Sequence, residues 1–68
     1  MVYEEIVNRL ISVVESHGVF ITHKSYGGWY AKFVSYGQEI SKSGPCQTEK
    51  AAIALCAIVA IEEGELTL

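Results

Sequence analysis

Apolar and polar positions change their period along this chain, and each change predicts an element. Between residues 2 and 16, Tyr3, Ile6, Val7, Leu10, Val13 and Val14 recur at three- and four-residue intervals, with Glu4, Glu5, Asn8, Arg9, Ser12 and Glu15 between them. That spacing predicts an amphipathic helix. Glu4 and Glu5 suit the positive end of its dipole, and His17 and Gly18 supply a stop. From Val19 to Lys24 a β-branched and aromatic run predicts a strand, followed by a glycine-rich turn over Ser25–Gly28. Trp29–Tyr36 is the clearest strand. Gly37 makes a tight turn, Gln38–Lys42 forms a short third strand, and Ser43, Gly44 and Pro45 are expected to break it. The two-residue strand period sets Trp29, Ala31, Phe33 and Ser35 on one face and Tyr30, Lys32, Val34 and Tyr36 on the other. The first set is expected to face the helices, because Lys32 is poor core material and Ala31 lets a helix approach.

Ala51 to Ile61 are eleven consecutive apolar residues. The run is too short to span a bilayer, which needs about 20 residues. Thr48 can cap its start and Gly64 can end it in a left-handed turn. It therefore reads as a helix buried on most sides. Ile53, Leu55, Ile58, Val59 and Ile61 spread over most of its circumference. Ala52, Cys56 and Ala60, four apart, form a narrow ridge of small side chains, which suits either close contact with another helix or a solvent-facing side of good helix formers. The tail after Gly64 reads as a short extended piece. The expected architecture is one α+β domain over residues 1–68, helix, three-stranded antiparallel meander, helix (αβββα). Trp29 and Phe33 are expected to pack against Leu55, Ile58 and the Ile6–Leu10 stripe.

Size sharpens the picture. A domain of 68 residues buries only about 60% of its unfolded surface and is marginally stable. A hydrophobic fraction of 50% is one answer, and a symmetric homodimer is the expected other. The net charge is −3, from eight glutamates, no aspartate and five lysines or arginines. That balance argues against a general nucleic-acid binder. Cys46 and Cys56 do not make a disulfide framework, and the acidic N-terminus lacks the basic start of a signal peptide. A reducing, cytoplasmic setting with no membrane association is the expectation.

Two resemblances follow from the residues. The stretch GWYAKFVSYGQEISKSGPCQTEKAAIALCAIVAIE has a Trp-led strand, a glycine turn and a threonine-started helix of the form T-E-K-A-A-x-A-L-C-x-A. This resembles the C-terminal half of the phage ABA-sandwich domain of small phage and prophage proteins, which implies an origin rather than a chemistry. The element order also resembles a double-stranded RNA-binding domain, where a lysine cluster opening the second helix grips phosphates. The matching stretch here is Gln47, Thr48, Glu49 and Lys50, of which only Lys50 is basic; RNA contacts would fall to Arg9, Lys42 and Lys50.

Candidate chemistry is sparse. Cys46 next to a helix start could carry a lowered thiol pKa, but no spacing pairs it with His17 or His23 as a base. The same four residues lack the ligand pairs of a zinc site. Glu62, Glu63 and Glu65 read as a solvated helix end. Tyr30, Lys32 and Tyr36, with Tyr26 and Lys24 nearby, are more informative: on an uncovered sheet they suit a protein interface, or base stacking. The expectation is a non-catalytic protein without metal or cofactor. It would bind and modulate a macromolecular partner, a host protein before a nucleic acid; Tyr30, Lys32, Tyr36, Ala52, Cys56 and Ala60 are the candidate interface residues, and the symmetric dimer is expected to use either the Ala52, Cys56, Ala60 ridge or the open sheet face around Tyr30 and Tyr36. A divergent RNA-binding module is the alternative.

Overall fold

A computed structural model describes residues 3–63. Helix α1 spans Tyr3–Glu15, strands β1, β2 and β3 span Val19–Ser25, Gly28–Ser35 and Gln38–Cys46, and helix α2 spans Glu49–Glu62. The αβββα order is the expected one, and the strands form an antiparallel meander, β1-β2-β3. Thr48 caps α2 by accepting a hydrogen bond from the Ala51 amide at 3.1 Å. At the other end of the first helix, the His17 amide bonds the Val14 carbonyl at 2.9 Å and the chain turns. Gly18 permits that turn to close: a methyl group there would collide with the Val34 carbonyl and stand 2.8 Å from the Phe33 ring. Gly64 and the tail lie outside the described residues.

The principal extents, 34 × 33 × 17 Å, describe a thin two-layer slab. Alternation along β2 is as expected: Ala31, Phe33 and Ser35 are buried and Trp29 packs against the core, while Lys32 is exposed. Phe33 is fully buried, with Phe20 of β1 against it at 4.9 Å between ring centroids. The helices contribute Val14 and Leu10 from α1, and Ala52, Cys56, Ala57 and Ala60 from α2, to the same cluster.

The face that α2 turns to the sheet differs from the expectation. Leu55 and Ile58 are 44% and 39% exposed, whereas Ala52, Cys56 and Ala60 are completely buried within the single chain. Their ridge meets a sheet strip that is itself made of small residues. The Ser41 hydroxyl donates to the Cys56 carbonyl at 2.9 Å, and the Ser43 hydroxyl donates to the Ala52 carbonyl at 2.5 Å. Large side chains at the seam would hold the helix too far away for either bond. Side-chain size, rather than hydrophobicity, therefore decides which side of a uniformly apolar helix is buried. Ile53 and Ile61 pack at the margins of the seam. On α1, Leu10 joins the core but Ile6 stays outside it.

Strand β3 runs past the expected break at Ser43–Pro45. Two register shifts against β2, between Trp29 and Ala31 and between Phe33 and Val34, accommodate the irregular residues. Gly44 sits at φ 124°, and Pro45 lies on an edge strand, where a missing N–H can be tolerated.

Candidate interface on the open sheet face

One sheet face carries the helices; the other is uncovered by any described element. The registers Ile21↔Lys32 and His23↔Tyr30 on one side of β2, and Lys32↔Lys42 on the other, gather these residues on the uncovered face. Together with Glu39 they line a hollow of about 550 Å³. Its floor is built by the strand period: the residues pointing away from Phe33 and Ala31 on β2 have nowhere else to go.

Two features give the hollow its chemistry. The first is an aromatic pair: the His23 and Tyr30 rings stack nearly parallel, 7° apart with centroids at 5.2 Å. Tyr30 rests across Gly44, where a methyl group would stand 2.7 Å from Tyr30 Cδ1 and from the Trp29 carbonyl oxygen. The second is a pair of lysines placed directly opposite each other. Like charges so placed on an antiparallel pair destabilise it. The salt bridge found among the described residues joins Lys50 to Glu4, at 3.1 Å, and leaves Lys32 and Lys42 without a carboxylate partner there. The charge distribution is lopsided in the same sense. The open face carries Lys32 and Lys42 against Glu39, whereas the helices carry Glu4, Glu5, Glu15, Glu49 and Glu62 against Arg9 and Lys50. An acidic chain thus presents a locally basic sheet face.

The expected interface residues separate in the structure. Tyr30 and Lys32 lie on the open face. Tyr36 does not: it occupies the β2–β3 turn at φ 51° and is fully exposed there. Its strand ends one residue earlier, because the tight turn with Gly37 needs a left-handed position. Tyr26 likewise stands in the β1–β2 turn, and Lys24 reaches over the Trp29 ring at 5.9 Å rather than into the hollow. Ala52, Cys56 and Ala60 are interior and unavailable to a partner. Sequence reasoning missed Ile21, and it weighed Lys42 only as an RNA contact and His23 only as a base or metal ligand; pairing β1 and β3 to β2 in register was the signal that could have placed all three on this face.

The cysteines divide as well. Cys46 ends β3 opposite Trp29, and Cys56 is buried. Burial pushes the Cys56 thiol above its ordinary value, with the Ser41 hydroxyl, 3.2 Å from Sγ, pulling partly back. That is the opposite of an activated nucleophile. Among the described residues no three His, Cys, Asp or Glu side chains are grouped to hold a metal, and no helix is long and apolar enough to cross a membrane. A second hollow of about 340 Å³ lies between the helices, lined by Tyr3, Val7, Ala51 and Ala54, but there Lys50 already answers Glu4. No family model, curated protein or solved structure matches the chain.

Proposed function

We propose that this chain is a non-catalytic homodimeric module that docks an acidic segment of a partner protein on its open sheet face and thereby modulates that partner. The observation that carries the reading is the Lys32–Lys42 pair. Two opposed lysines that form no salt bridge among the described residues, with Glu39 the one carboxylate lining their hollow, cost the free domain stability, and a carboxylate-bearing partner would relieve that cost on docking. Exposed Ile21 and Val19 beside them offer the apolar contact that protein interfaces use and phosphate backbones do not. A host-protein target follows the phage resemblance and the cytoplasmic setting follows the lack of a disulfide framework; both belong to the same reading.

A nucleic-acid reading draws on the same lysines and on Tyr30. Here the acidic balance counts against it. Two lysines neutralise about two phosphates, a small share of the six to ten contacts typical of firm duplex binding. Tyr30 also has one ring face against His23, which reduces what a base could stack on. The discriminating experiment is fluorescence anisotropy with three labelled probes: a short peptide alternating glutamate and leucine, oligo(dT), and a duplex RNA. The proposal expects salt-sensitive binding of the peptide that is abolished in the Lys32→Glu, Lys42→Glu double variant. Tighter binding of either nucleic acid than of the peptide would overturn it in favour of the RNA-binding alternative.

A further inference from the structure

The two edges of the sheet are built differently. On β3 the outer edge follows a strand with two register shifts, a glycine at φ 124° and a proline. Bulges and prolines are the usual devices that keep a sheet edge from pairing with another chain. The β1 edge has none of them. Val19–Ser25 pairs with β2 in unbroken register over all seven residues. It contains no proline or glycine, and its charge sits at the far end, on Lys24. Among the described residues no backbone group outside β2 bonds to it. Val19 and Ile21 flank it at 61% and 46% exposure.

From this asymmetry we infer that β1 is the seam of a two-fold dimer, in which β1 of two copies pair antiparallel to make one continuous six-stranded sheet. The inference rests on the self-association in the function proposed above, not on the acidic partner.

Register follows from side-chain parity. Residues facing each other on paired strands point to the same side of the sheet. Pairing residues whose numbers sum to an even value therefore keeps both helical layers on one side and both open faces on the other. An odd sum would set exposed against buried side chains along the seam. Centring the two-fold axis on Ile21 opposes Ile21 to its own copy, Phe20 to Thr22 and Val19 to His23. Apolar residues then meet at the middle, and Lys24 stays outside. The next even register, centred on Thr22, would set Lys24 against Phe20 on the helix-facing side and draw it away from Trp29. The pairing also has a closed end point: two copies consume both β1 edges, and the remaining edges are the protected β3 strands. A stable pair rather than a fibre results. The two open faces become one continuous surface carrying two Lys32–Lys42 pairs, so a partner with two acidic segments would gain from both.

Cross-linking tests the seam directly. At the two-fold axis the two Cα atoms of residue 21 would lie about 4.5–5.5 Å apart, within the span of a disulfide. In a Cys46→Ser background, Ile21→Cys should form a covalent dimer with copper–phenanthroline, in which the two thiols lose their protons and electrons to the oxidant. Tyr36→Cys, exposed in the opposite turn, should not. In parallel, the parent chain should sediment as a dimer at high micromolar concentration. Ile21→Lys, which opposes two charges at the axis, should raise its dissociation constant about tenfold or more, equivalent to about 1.4 kcal/mol, with unchanged far-ultraviolet circular dichroism. A parent chain that sediments as a monomer overturns both the dimer and its seam. A dimeric parent whose Ile21→Cys variant fails to cross-link, and whose Ile21→Lys variant still pairs, overturns the seam alone. Peptide binding is scored on the parent chain alone, because Ile21 also lines the open-face hollow, so failure of the acidic-partner reading is distinguished from failure of the seam.

Discussion

Replacing Phe33 by alanine removes the largest fully buried side chain among the described residues. The ring is held on several sides: Phe20 packs against it in a tilted pair with centroids 4.9 Å apart, Gly18 leaves space only because it has no methyl group, and Val14 and Cys56 belong to the same buried cluster. Little here can collapse into the vacated space. The flanking backbone of β2 is paired on both sides, and α2 is held to β3 by the Ser41 and Ser43 hydroxyls. The cost should therefore be that of an aromatic truncation with a residual cavity, about 3–5 kcal/mol. At about 0.05–0.15 kcal/mol per residue, a chain of this length holds roughly 3–10 kcal/mol in total. Each kcal/mol moves the melting temperature of so small a domain by roughly 4–8 °C, so the loss amounts to roughly 12–40 °C and leaves a fraction of the chains unfolded at ambient temperature. Val34→Ala, the next residue along the strand but on the open face, is the matched control, and should cost about 1 kcal/mol or less. Thermal and urea unfolding followed by circular dichroism measure both. A Phe33→Ala chain that melts within a few degrees of the parent, or a Val34→Ala chain that loses more, would refute the assignment of the two sheet faces.

Other consequences are open to measurement. Ala52→Leu places a bulky side chain in the α2–β3 seam, pushes the helix off Ser43 and should cost about 1–3 kcal/mol or more by urea unfolding, whereas Leu55→Ser on the outer side of the same helix should stay within about 1 kcal/mol of the parent. Lys42→Glu converts an opposed like-charge pair into an opposite-charge pair and should raise stability by about 0.2–1 kcal/mol while weakening capture of the acidic peptide; a drop in stability would show that the lysines do not feel each other. Because the folded state holds the Cys56 thiol protonated beyond its ordinary pKa, stability should be constant below the unfolded thiol value, near 8.5, and fall as pH rises through the raised folded value. Cys56→Ala should remove that alkaline loss, so unchanged alkaline unfolding in this variant would assign it to another group.

The order of elements was legible because each rests on a strong local signal: the three-and-four spacing before His17, the β-branched run at Val19, the glycine turns, and Thr48 ahead of an apolar run. The inward face of β2 was legible because Lys32 fixes the parity of its neighbours. The orientation of α2 was not. When almost every position is apolar, hydrophobic pattern carries no angular information, and the choice passed to the small residues that fit beneath it. Serines on β3 were part of that fit, yet nothing in a linear reading assigns Ser41 and Ser43 to carbonyls beyond the next turn. The open-face site was half visible. Tyr30 and Lys32 share a strand and appeared together, whereas His23 and Lys42 reach them only through pairing, and Tyr36 left the strand for a left-handed turn position.

The two serine hydroxyls that bind α2 also act as a ruler. Two residues along a strand advance about 6.6 Å, and four along a helix advance about 6.0 Å. Ser41 and Ser43 therefore step along β3 in nearly the same stride as Cys56 and Ala52 step back along α2, which is why both hydroxyls find carbonyls at once. Sliding the helix by one residue would turn it by about 100° and lose both marks. Length changes are consequently not equivalent along this part of the chain. A residue inserted near Gln47 alters only the connection, while one inserted between Ser41 and Ser43, or between Ala52 and Cys56, puts the two scales out of step and should release the helix from the sheet.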